Sequence, residues 1–68
     1  MKTEFYESDP FSPRKAALLL ATDSDYRFEK GDEIVIEAVG LPLRVRVMEV
    51  RVHFKDGVMS REVLALKL

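Results

Sequence analysis

From Glu33 to Leu68 the apolar side chains recur largely at alternate positions, and two glycine-bearing breaks, Gly40-Leu41-Pro42 and Asp56-Gly57, divide that pattern into three runs. Period two is the repeat of a strand with one buried face, and short Gly/Pro/Asp interruptions are hairpin punctuation. This part of the chain is thereby committed to three antiparallel strands in a meander. With 68 residues there is room for one small domain, taken as residues 1–68, and nearly every apolar residue must serve its core. The lack of cysteine excludes a disulfide scaffold and a Cys-type zinc site. A hydrophobic fraction of 47% at net charge -1 excludes wholesale disorder.

Register follows from side-chain matching. A four-residue loop over Val39–Pro42 pairs Ala38 with Leu43, Ile36 with Val45 and Ile34 with Val47 on one face. Glu37 then lies opposite Arg44, and Val35 opposite Arg46. A slip by one residue would carry Arg44 and Arg46 into the core. In the second hairpin, Asp56-Gly57 as a two-residue turn sets Val50 opposite Val63 and Phe54 opposite Met59. It also sets Val47 opposite Leu66 and Val45 opposite Leu68.

Along Leu43–Phe54 the apolar phase changes from odd (Leu43, Val45, Val47) to even (Met48, Val50, Val52, Phe54). Two solutions satisfy this. The ribbon coils sharply near Met48-Glu49, with or without a bulge, so that both faces serve a closed barrel. Alternatively its tip is an arm whose second apolar face meets the N-terminal segment or another subunit.

The N-terminal half carries two readings. Thr3–Glu7 suits a short strand ended by Ser8-Asp9-Pro10. Ser12-Pro13 followed by Arg14–Ala21 has the cap and N1 proline of a helix. Yet Arg14 and Lys15 would crowd the positive end of its dipole, and the run is uniformly apolar, as in a strand buried on both sides. The expected fold is all-β, a small curved five-stranded barrel of SH3-like or PUA-like form. The alternative is α+β with one short helix near residues 13–21.

Chemistry-bearing patterns are sparse. Asp23, Ser24 and Asp25 with Asp32 and Glu33 lack the glycine and distal glutamate of a calcium loop and fit an acidic turn. His53 is the one imidazole, expected on the polar face beside Arg51 and across from Ser60. The serines lack a nucleophile elbow, and Gly31, Gly40 and Gly57 are isolated turn glycines rather than a phosphate loop. No catalysis, cofactor or metal is expected.

Charge is uneven. Residues 1–42 hold five cations and nine carboxylates (net −4), and residues 43–68 hold six and three (net +3). Arg44, Arg46, Arg51 and Arg61, with His53, form a candidate binding stripe, since a guanidinium fork suits phosphate or carboxylate. The plainer reading is cross-strand pairing with glutamates.

The stretch Asp23–Ile36 (DSDYRFEKGDEIVI) resembles the acidic-turn, aromatic, then Gly-Asp-strand segment of small ASCH/PUA-like barrels. That resemblance implies a barrel and an association with RNA or modified nucleotides, and it carries over no binding residues.

The expected role is a non-catalytic protein-interaction or assembly module, self-association included, through Val50, Val52, Phe54, Met59 and Val63. The alternative is a nucleic-acid-binding small barrel using the arginine stripe. The polar N-terminus and the shortness of the longest apolar run, Ala16–Ala21, predict a cytoplasmic chain without a membrane partner.

Overall fold

The computed structural model describes residues 1–9, 11–37 and 42–68. Five strands follow in chain order: β1 (Lys2–Asp9), β2 (Ser12–Asp23), β3 (Glu33–Ile36), β4 (Leu43–Lys55) and β5 (Val58–Lys67). They form one mixed sheet in the order β2-β1-β5-β4-β3, curled into a half-barrel. β1 runs parallel to β5, and every other pairing is antiparallel.

Residues 13–22 are strand, so the helix alternative does not apply. The strand is not buried on both sides, however. β2 is an edge of the sheet, with Ala16, Ala17 and Leu18 exposed and only Leu19 and Leu20 turned toward the core. Its pairing with β1 shifts between Phe5 and Tyr6, where Leu20 faces Phe5 and Leu18 faces Tyr6. The bulged Leu19 lets two consecutive leucines reach the same core.

The phase change in β4 has the same cause. The β4–β5 register shifts between Val47 and Glu49, leaving Met48 without an opposite residue. The bulge absorbs one residue, so Val45, Val47, Val50, Val52 and Phe54 all lie on the inner face. The apolar residues therefore do not swap faces, as an unbulged count implies. Val47 pairs with Ala65 and Val45 with Lys67, rather than with Leu66 and Leu68. Beyond the bulge, Val50–Val63, His53–Ser60 and Phe54–Met59 pair as expected. Asp56 (φ 51°) and Gly57 (φ 77°) close this hairpin with the two positive φ angles of a primed turn.

The first hairpin keeps the expected faces but not the expected register. Ile36 pairs with Leu43, Ile34 with Val45 and Glu33 with Arg46, two residues away from the expected set. Sliding by two leaves every side chain on its own face, so hydrophobic alternation cannot distinguish the two registers. The Ala38 pairing and most of the Val39–Pro42 loop lie outside the described residues.

The core is a single inner layer. Phe5, Val47 and Val63 form one cluster, and Ile36, Val45 and Ala65 another. Leu19, Leu20 and Ile34 pack against both, so side chains from the two edge strands meet across the open side of the half-barrel. On the outer face Leu64 is fully buried, in register with Tyr6 and Glu49.

Candidate interaction surface

The outer face of β4 carries Arg44, Arg46, Arg51 and His53 in one row, and each has a carboxylate partner. Glu33 holds both Arg46 (2.9 Å) and Arg44 (3.1 Å). Arg51 lies on Glu49 (2.9 Å), and His53 Nε2 meets Glu62 Oε1. Glu62 also accepts from Lys15 Nζ at 2.7 Å, and that ammonium sits over the Tyr6 ring, 4.5 Å from its centroid. A phosphate binding this row would compete with carboxylates already in place.

Arg61 does not belong to the row. It is on the inner face and 7% exposed. Its Nε donates to Thr3 Oγ1 (2.8 Å), a terminal NH2 donates to the Ser24 carbonyl (2.9 Å), and its guanidinium lies 4.8 Å from the Phe28 ring centroid. Phe28 in turn meets Phe5 edge-on at 5.1 Å. Arg61 thus ties the segment crossing from β2 to β3 onto the sheet, and it is a structural cation rather than a binding one. Period two already sets Arg61 between Met59 and Val63 on the apolar row, opposite Val52, and grouping it by residue type with the other arginines overlooked that placement.

The acidic residues are also committed. Asp23 and Asp25 accept from the Met1 amino group at 2.7 and 3.0 Å. Asp32 accepts from the Glu29 amide at 2.9 Å and so braces the turn containing Gly31 (φ 98°). Among the described residues no three potential metal ligands converge.

The hydrophobic candidates divide into two groups. Val63 is fully buried and Val50 half-buried against the core, so neither is a surface residue. Val52 (55% exposed), Phe54 (70%) and Met59 (44%) share the inner face and project beyond the core. Val52 is opposite Arg61, so this patch begins where the Arg61–Phe28 contact ends. Tyr26, also exposed, meets Phe28 edge-on with ring centroids 4.8 Å apart. Sequence reasoning missed Tyr26 as part of this end, and Phe11, which stands exposed at the opposite pole.

The outer-face pairs make stability dependent on acid. Lys15, and secondarily His53, hold the Glu62 carboxyl below its ordinary value near 4.5, with partial burial opposing them. Arg46 and Arg44 lower Glu33 in the same direction. A carboxylate with a depressed folded pKa adds stability above its unfolded value, and that stability disappears as pH falls through the folded one. Urea midpoints measured from neutral pH downward should therefore fall below pH about 4.5, the ordinary carboxylate range. Glu62→Gln should flatten this slope, and an unchanged slope would refute the assignment.

No protein-family model matches the chain, and neither the curated proteins nor the solved structures contain a match to it.

Proposed function

We propose that this small half-barrel is a non-catalytic assembly module that docks a second copy of itself through the inner-face tip of the β4–β5 hairpin. The observation that carries this reading is the continuation of the core-facing row. Val45, Val47 and Val50 lead directly into Val52 and Phe54, with Met59 alongside, yet the last three remain in water. A contiguous apolar patch that extends a core face without cover is characteristic of an interaction site. The nucleic-acid alternative is less well supported, because Arg44, Arg46, Arg51 and His53 are engaged by Glu33, Glu49 and Glu62, and Arg61 is buried.

Sedimentation equilibrium tests the proposal. The chain should show a concentration-dependent dimer that Phe54→Glu abolishes. Since Phe54 is exposed, that variant should stay within about 0.5 kcal/mol of the parent stability. A strict monomer at high micromolar concentration would refute self-association. Salt-sensitive shift changes on adding a single-stranded oligonucleotide would favour the nucleic-acid reading.

A further inference from the structure

Resting on that reading, we propose how the two copies join: the β4 strands pair antiparallel, edge to edge, about a twofold axis at Val52, making one continuous ten-stranded sheet. The backbone supplies the reason. On the side of β4 away from β5, β3 pairs only as far as Arg46. Val47 is then satisfied by the preceding turn, its carbonyl accepting from Gly31 N–H and its N–H donating to the Asp32 carbonyl, both at 2.8 Å. Beyond that, no strand of the described residues covers this edge.

Hydrogen-bond parity identifies the free groups. Lys55 and Val58 close the two-residue turn and so exchange both backbone bonds, as do His53–Ser60 and Arg51–Glu62 by alternation. The N–H and C=O groups of Val50, Val52 and Phe54 therefore point to the open edge. A row of unpaired backbone groups flanked by apolar side chains is a template for another strand.

The sequence of this edge is self-complementary about Val52. Val52 faces its own copy, Val50 faces Phe54 of the second copy, and Glu49 faces Lys55 of the second copy. Outward-pointing backbone groups meet outward-pointing groups at each of the first two pairs, as an antiparallel ladder requires. Arg51 faces His53 of the second copy, and each already has a carboxylate on its own chain, Glu49 and Glu62. The inner-face patches of both copies become contiguous and cover each other's flanks. The other long edge, β2, suits this less well, since its pairing is interrupted by several register shifts.

Amide exchange distinguishes this arrangement from docking face to face. At dimer-forming concentrations the amides of Val50, Val52 and Phe54 should exchange at least about tenfold more slowly than on dilution. Those of Arg51 and His53, bonded to β5 in either state, should change far less. Val52→Pro removes an outward N–H and no ladder bond within the chain, so it should leave the monomer folded and abolish the dimer. Lys55→Glu, which sets two carboxylates opposite each other, should weaken the dimer up to about fivefold at low salt. A dimer whose Val50, Val52 and Phe54 amides exchange equally fast at all concentrations would overturn edge pairing while leaving self-association intact. A monomer would overturn both.

Discussion

Replacing Phe5 by alanine is expected to remove about 3–5 kcal/mol of stability, the range for deleting a buried aromatic ring. Phe5 is among the largest fully buried side chains and lies on β1 between Leu20 of β2 and Val63 of β5. Its ring packs with Val47 of β4 and meets Phe28 edge-on, so one side chain joins both halves of the sheet to the crossing segment. Little compensating collapse is available, because the inner layer is a single one. A domain of this length is stable by about 3–10 kcal/mol at ordinary per-residue values, so the variant should lose from about a third to all of its stability. Far-UV circular dichroism during heating checks this, with Phe54→Ala as the exposed counterpart expected within about 0.5 kcal/mol of the parent. Equal losses at positions 5 and 54 would show that the inner layer is not the core.

Arg61→Met is expected to cost about 3 kcal/mol, although methionine fills much of the same volume. Hydrogen bonds from a charged donor contribute about 1.5–3 kcal/mol each, and this guanidinium makes two, to Thr3 and to the Ser24 carbonyl. The substitution leaves the buried Thr3 hydroxyl without its donor and releases the Phe28 ring face. Arg61→Lys should not restore stability, since one ammonium lacks the planar fork that reaches both oxygens and lies against the ring. The loss should be local at first: in native-state exchange, amides from 24 to 28 should open at lower free energy than those of β1 and β5. Should Arg61→Met match the parent in urea denaturation, the buried arginine would be dispensable.

These two residues mark the limits of legibility. Phe5 could be placed on a short N-terminal strand from its alternation with Thr3, but nothing local distinguished it from Phe11 or Phe54, which are exposed. Arg61 was grouped with Arg44, Arg46 and Arg51 by residue type alone. Its separation depended on Thr3 and Ser24, which reach it only through β1 pairing parallel to β5. Val63 was similarly assigned to an interface and proved to be core. Val52, Phe54 and Met59, named from the sequence as interface candidates, are exposed on the inner face, and Tyr26 meets Phe28 edge-on.

Local pattern specified the three strands of the C-terminal meander, their hairpin breaks and which face of the first hairpin is apolar, while residues 13–22 stayed open between strand and helix. These depend on local chemistry: period-two alternation, turn residues with the required φ angles, and the cost of burying Arg44 or Arg46. The bulge at Met48, the two-residue displacement of β3 and the parallel placement of β1 beside β5 were settled by the assembled sheet. Each of these preserves the alternation pattern or makes a single exception to it, so they are selected by how distant strands fill a shared interior. That same interior buries Arg61 and leaves the β4 edge and its last apolar residues uncovered.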